Sequence, residues 1–334
     1  SNNKRMLLRL VSLALALVAG GLFLLCLGYN PFKIYGTMVQ GCFRSSIAFQ
    51  GTMLVIIPLL ISSLGVTLAF KMRFWNIGAE GQIIMGAIFA SYFALFHSGW
   101  PHPVLIFVMF IAGALGGGLW GLLPAFFKVK FGANETLFTL MLNYIAQLFT
   151  SYLVSGPLRA DGAVSQSDPI PAATAIGEIV AGSKITYGFP LAIVLCVVFA
   201  VLFKRTQLGY EITAAGMNAR AAEAGGIQPD RVRIIAMMVS GALAGLAGGL
   251  LVASTFGRLV ETVSTSFGFD GISIAVLGLY TSVGVFLSSL LFGALHTGSL
   301  YMEMFMKIPS ELIDVLQGVI IVVIASPAIF QILF

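Results

Sequence analysis

Polar side chains set into apolar runs are where this 334-residue sequence has the means to do chemistry. Residues 74–82 read FWNIGAEGQ, so Asn76, Glu80 and Gln82 fall within seven residues between two apolar stretches. Residues 134–147 read NETLFTLMLNYIAQ and supply Asn134, Glu135, Asn143, Tyr144 and Gln147. Asn143 and Gln147 lie four apart and share one face of a helix. A third polar spot, SFGFDG at 266–271, carries Phe269 and Asp270. Amide side chains present both donors and acceptors, which suits a polar, uncharged ligand. The same residues also have a purely structural reading. Asn76 and Asn134 then cap helices, while Glu80 and Glu135 sit in first turns and satisfy the dipole. Gln82, Asn143 and Gln147 then hydrogen-bond between helices. Asp270 either caps a short helix or faces the outer end of a pathway.

Catalytic constellations are missing from the sequence. It contains no HExxH, no GxSxG and no Walker A run. His97 and His102 share a short loop, HSGWPHP, and His296 stands alone in an apolar stretch. Cys26, Cys42 and Cys196 are scattered without a metal-binding spacing. The sequence therefore points to a binding or conducting protein, with no enzyme chemistry and no metal site expected.

The elements that must position these groups are membrane spans. Hydrophobic residues make up 58% of the chain and charged residues only 9%, against about 25% charged in soluble chains. A bilayer must solvate that much apolar surface. About ten crossings are expected, near 7–27, 51–70, 80–96, 103–127, 135–154, 189–203, 234–254, 268–280, 285–303 and 311–330. The first is too long for a signal-peptide core and has no convincing cleavage site, so it is expected to be retained. The whole chain, 1–334, is expected to form a single all-α transmembrane domain. Residues 28–50, which include NPFKIYGTMVQGCFRSSIAFQ at 30–50, are weakly amphipathic and predict an outer interfacial helix. Residues 155–188 make a long outer loop, either an entrance or docking element or a passive connector. Residues 204–233 make a long inner loop.

Basic residues orient this map. With the N-terminus inside, Lys4, Arg5, Arg9, Lys71, Arg73, Lys128, Lys130, Lys204, Arg205, Arg220, Arg231 and Arg233 fall on the inner side. Lys33, Arg44, Arg159, Lys184, Arg258 and Lys307 remain outside. The bias obeys the positive-inside rule, and ten crossings then place both termini in the cytoplasm. Gly113, Gly117 and Gly121, like Gly241, Gly245 and Gly249, lie four apart, a spacing that predicts close helix packing.

The inner loop carries the most specific signature. Residues 206–227, TQLGYEITAAGMNARAAEAGGI, predict two short helices joined near Gly216-Met217-Asn218 and stopped at Gly225-Gly226. The spacing from Thr206 to Ile227 resembles the coupling loop of ABC importer permeases of the simple-sugar and branched-chain amino acid group. FWNIGAEGQ, NETLFTLMLNYIA and GFDGISIAVLG (268–278) are similar to the nucleoside-type branch of that group. The resemblance covers roughly residues 5–330. It departs at Leu279-Tyr280-Thr281-Ser282-Val283-Gly284, where the family has a Gly/Asn-rich turn and then Pro-Leu-Gly.

This resemblance implies a type II ABC importer-like permease subunit that carries nucleosides by alternating access. Its implied partners are a second, shorter permease, a cytoplasmic ABC ATPase and an extracytoplasmic lipoprotein binding protein. It implies no cofactor on this chain, with ATP and magnesium held by the ATPase, and no nucleic-acid partner. The implied location is the bacterial cytoplasmic membrane. Asn76, Glu80, Gln82, Asn134, Glu135 and Asn143 would line or support the pathway, with Asp270 near its outer end. Phe74, Trp75, Tyr144 and Phe269 would flank a base by stacking. Gly209, Glu211, Gly216, Asn218, Ala222, Glu223, Gly226 and Ile227 would couple to the ATPase. A ribose or other simple-sugar permease is the nearest rival reading, and an ion-coupled carrier a more distant one.

Overall fold

The computed structural model of the chain describes residues 17–171, 176–179 and 185–309, with 312, 315, 316, 318 and 319 beyond them. About half of the first expected span, most of the last, part of the 155–188 loop, and Lys4, Arg5, Arg9 and Lys184 lie outside the described residues. The described residues form helices and no sheet. They fall into two compact units, Ile56–Ser289 and the described parts of Ser1–Val55 with Leu290–Phe334.

In the smaller unit, α1 (Leu17–Cys26) meets α2 (Pro31–Phe43) at a 119° bend. The bend is local chemistry. Gly28 has φ +83°, Asn30 Oδ1 accepts from the backbone N–H of Phe32 and Lys33, and Pro31 starts the new helix. The helix expected over 28–50 is thus confined to Pro31–Phe43, and 46–50 belong to the next helix. Gly41 lets α2 lie against Tyr301, whose hydroxyl accepts from Arg44 at 2.8 Å.

The larger unit holds most of α3 (Ser46–Lys71), then α4 (Ala79–Phe96), α5 (His102–Phe131), α6 (Glu135–Ser155) and α7 (Gly188–Arg205). Short α8 (Gln207–Met217) and α9 (Ala219–Ala224) lead into α10 (Pro229–Leu251), α11 (Phe267–Leu277) and the start of α12 (Ser282–Met306), which from Leu290 belongs to the smaller unit. Seven of the described helices are long and apolar enough to cross a bilayer, or eight if the bent α1–α2 pair counts as one span. At the short crossing expected near 268–280, α11 has 11 residues. At 1.5 Å per residue it covers about 16 Å of a hydrocarbon core about 30 Å thick.

A glycine seam holds the larger unit together. The two spaced glycine triads face each other across α5 and α10. A Cβ at Gly117 would overlap the carbonyl of Gly241, and one at Gly245 would overlap that of Gly113. Helix α4 joins the seam, with Gly86 against Gly245 and Gly248 against the carbonyl of Ile83. Backbone therefore touches backbone where no hydrophobic drive exists between helices in lipid.

The basic helix ends converge on one side. Lys71, ending α3, lies 4.6 Å over the Phe203 ring near the end of α7. Gly216 of α8 packs on the Lys71 carbonyl, and Lys128 of α5 pairs with Glu135 of α6 at 2.7 Å. Away from those ends, the described part of the 155–188 loop is tied into the unit. Ser167 N–H donates to Leu259 O, Leu259 N–H donates to Ser167 Oγ, and Ile170 N–H donates to Gly257 O, each at 2.9 Å.

Candidate functional site

Helix α3 ends at Lys71, and the chain then runs as irregular backbone to Gly78 before α4 begins. Phe74 anchors this segment, buried with Ala69, Ala125 and Met237. Irregular backbone beside apolar helices must have its polar groups satisfied, and the conspicuous side chains do this. Asn76 Oδ1 accepts from Gly78 N–H at 3.0 Å and from Gln82 Nε2 at 3.2 Å. Asn76 Nδ2 donates to Gln82 Oε1 and to Ser240 Oγ of α10, both at 3.1 Å. Asn143 reaches across from α6, accepting from Gly81 N–H at 2.8 Å and donating to Ile77 O at 2.9 Å. Asn76, Gln82 and Asn143 are all buried.

Glu80 plays a long-range part. Its Oε1 accepts from Ser266 N–H at 3.1 Å and its Oε2 from Gly268 N–H at 2.7 Å. These N–H groups open α11, whose N-cap residue Ser266 makes no side-chain cap of its own. Glu80 is therefore the N-terminal acceptor of a neighbouring helix, where a carboxylate is favoured by free donors and the helix dipole. Close contact at Gly268, where a Cβ would overlap the backbone of Glu80, permits this approach.

Beside this cap lies a cavity of about 330 Å³, at the small end of the usual ligand-pocket range of roughly 300–1,000 Å³. Its walls are Glu80 and Ile84 of α4, Leu140, Asn143, Tyr144 and Gln147 of α6, and Phe269 of α11. The 261–266 segment between α10 and α11 closes it with Glu261, Thr262, Ser264, Thr265 and Ser266. The structure brings Glu80, Asn143, Tyr144 and Phe269 together there.

The remaining sequence candidates sit elsewhere. Asn76 and Gln82 form the buried network. Asn134 caps α6 by accepting from Thr136 and Leu137 N–H, and Glu135 pairs with Lys128. Phe74 is core, whereas Trp75 is exposed and packs on Phe70 at 5.1 Å between ring centroids. Asp270 lies in the first turn of α11 and does not line the cavity. Glu261, Thr262 and Thr265 escaped sequence reasoning. Their signal was the polar run ETVSTS, which separates two apolar helices.

The inner loop forms a second feature. Asn218 ends α8 and caps α9 by accepting from Ala221 N–H at 3.2 Å. Gly209 and Gly216 are buried where a Cβ would strike the carbonyls of Leu202 and Lys71. Ala222 is buried, and its carbonyl accepts from Ile227 N–H at 3.0 Å, while Glu223 is exposed. Glu211, Gly226 and Ile227 share a groove of about 490 Å³ between α8 and α10, with Gln207, Leu208 and Arg231 beside them.

Comparison with known proteins places this geometry. Residues 48–325 match the family described as branched-chain amino acid transport system permease component. The chain is 32% identical to the guanosine ABC transporter permease protein NupP of Bacillus subtilis, over 96% of this chain and 93% of that one. It is 31% identical to the nucleoside ABC transporter permease protein NupB of Lactococcus lactis, over 99% and 94%. A glucose ABC transporter permease protein of Haloferax volcanii, TsgB13, is 30% identical over 95% and 86%. No solved structure matches the chain. A match across 48–325, on a bundle of membrane-capable helices with a polar cavity and a paired-helix inner loop, settles the family: the chain is a multi-pass membrane protein that belongs to the branched-chain amino acid transport system permease components.

Proposed function

We propose that this chain is the permease subunit of an ATP-driven importer of nucleosides, with the α4–α6–α11 cavity on the substrate path. One observation carries the reading: two aromatic faces, Tyr144 and Phe269, and a polar wall share one cavity in a chain similar over nearly its full length to two nucleoside permeases. A nucleoside presents a flat base and a polyhydroxylated sugar, and such a cavity offers a surface for each. The chain is a permease and not an enzyme; ATP and magnesium belong to a separate ATPase, and the chain itself needs no cofactor.

The groove between α8 and α10 is the docking place for that ATPase, with α8 and α9 passing on its closure as rigid-body motion. Ten crossings with both termini in the cytoplasm complete the topology, the 257–266 segment and α11 together making the descent that α11 is too short to make alone. A second, shorter permease and an extracytoplasmic lipoprotein binding protein complete the importer in a bacterial cytoplasmic membrane. The relatives named as guanosine permeases NupP and NupQ, and as nucleoside permeases NupB and NupC, support a paired-permease assembly. A sugar importer is the second reading, favoured by the glucose permease relative.

The test is uptake of radiolabelled guanosine and uridine by cells expressing the whole system, with excess ribose or glucose as competitor. Nucleoside uptake that neither sugar reduces is the expected result. Full competition by a sugar, or no nucleoside uptake, overturns the nucleoside assignment.

A further inference from the structure

The cavity wall contains two kinds of polar group. Glu80 and Asn143, the most conspicuous in sequence, are committed to the protein. Both Glu80 oxygens accept from α11, and the Asn143 amide is bonded at each end to the 77–81 segment. A second set is uncommitted. Among the described residues, the side chains of Gln147, Glu261, Thr262 and Thr265 have no hydrogen-bond partner, and all four are exposed on the cavity wall. A bonded group that turns to a ligand gives up or shares a bond it already has, whereas an unpaired one gains a full partner.

The two strongest uncommitted groups differ in chemistry. An ionised Glu261 accepts only, through two oxygens set side by side. Its natural complement is a pair of adjacent O–H donors, and a vicinal diol supplies one. The Gln147 amide offers one acceptor and two donors. It complements the edge of a base, where N–H and C=O groups alternate, and turning the amide over accommodates either order. Tyr144 is three residues from Gln147 on α6, and Phe269 lines the same cavity from α11, so two aromatic rings share the cavity with the amide.

Resting on the nucleoside reading, we infer that Glu261 reads the 2′,3′-diol of the ribose while Gln147 reads the base edge held between Tyr144 and Phe269. Glu80 and Asn143 are positioning residues that keep the cavity wall in place. This separates recognition, carried by residues of ordinary appearance, from architecture, carried by the buried polar cluster.

The experiment compares initial uptake efficiency for uridine and 2′,3′-dideoxyuridine in cells with the complete importer. Native chain, Glu261→Ala, Glu261→Gln and Gln147→Leu are measured side by side, with membrane levels checked by immunoblot. Any preference of the binding protein is common to all strains and cancels in the ratio between strains. The native ratio is expected to fall about tenfold or more in Glu261→Ala, the scale of a lost hydrogen bond to a charged group. Glu261→Gln, keeping one acceptor, falls between. Gln147→Leu lowers uptake of both substrates and leaves the ratio unchanged. A Glu261→Ala ratio equal to the native ratio overturns the assignment, as does a native chain indifferent to the missing diol. Should the alanine variant be absent from the membrane, Glu261→Gln carries the same comparison. Failure of the native chain to take up any nucleoside appears in the first arm and overturns the underlying function instead.

Discussion

Replacing Glu80 by alanine removes the acceptor for two backbone donors at the start of α11, those of Ser266 and Gly268. Glu80 is buried, at 7% exposure, and lines the cavity, so water entering from the cavity offsets part of the loss. A hydrogen bond to a charged group contributes about 1.5–3 kcal/mol in soluble proteins, whereas hydrogen bonds between membrane helices average about 0.6 kcal/mol. Two bonds then bracket the loss between about 1 and 6 kcal/mol, and roughly 3 kcal/mol is a reasonable centre. The damage should concentrate where the donors are. Hydrogen exchange of the detergent-solubilised protein should show amides 266–270 exchanging about a hundredfold faster, since each 1.4 kcal/mol is a factor of ten. Amides in the middle of α5 should be unchanged. Glu80→Gln keeps one acceptor oxygen but sets an NH₂ against the other donor, so it should fall between native and alanine. Native protection at 266–270 in Glu80→Ala would refute the cap and return Glu80 to the list of groups free to meet substrate.

Two further outcomes follow from the backbone. Gly245→Ala puts a Cβ onto the Gly113 carbonyl and within 2.8 Å of Gly117 Cα, where backbone cannot yield, so thermal unfolding in detergent should show a loss of about 1–3 kcal/mol. Gly51→Ala in α3, with open space around its Cβ, should gain up to about 1 kcal/mol from helix propensity; a reversed order would sink the seam. Leu279, 47% exposed, is held at φ +51°, which costs a non-glycine residue roughly 1–3 kcal/mol. Leu279→Gly should therefore raise the midpoint by a net 0.5–1 kcal/mol or so after glycine's own entropy cost, and a lowered midpoint would show that the turn is not strained.

Local chemistry was readable in the sequence, and distant pairing was not. Asn134 as the cap of α6, with Glu135 in its first turn, follows from four consecutive residues, and the structure has that cap. The spaced glycines were readable as a packing face because a period of four fixes which side they share. Glu80 shows the limit. Its position suited the dipole of its own helix, yet its oxygens bind a helix whose first residues lie 186 and 188 positions away. No local pattern encodes that partner. The loop at 165–170 reads in sequence as either an entrance element or a passive connector, and only the fold brings it against 257–260. The turn at Leu279-Tyr280 was conspicuous because Gly or Asn was expected there, and both residues have positive φ. Glu261 was passed over because a carboxylate in a polar run near a membrane surface is ordinary until the run is seen to fold back over a cavity.

The glycine seam has a mechanical consequence. Where side chains separate two helices, one can slide past the other by exchanging rotamers. Along α4, α5 and α10 backbone meets backbone at Gly86, Gly117, Gly241, Gly245 and Gly248, and a shift of one residue in α10 would drive Ala244 or Leu246 toward the Gly113 carbonyl that now meets Gly245. These three helices therefore act as one stiff strut. Whatever opens and closes around the cavity must do so by tilting that strut as a whole or by bending chain outside it. The best-placed bends are the turns beside α11, where Ser266, Leu279 and Tyr280 already sit in left-handed backbone. The short helix between them is the piece of this unit with a joint at each end.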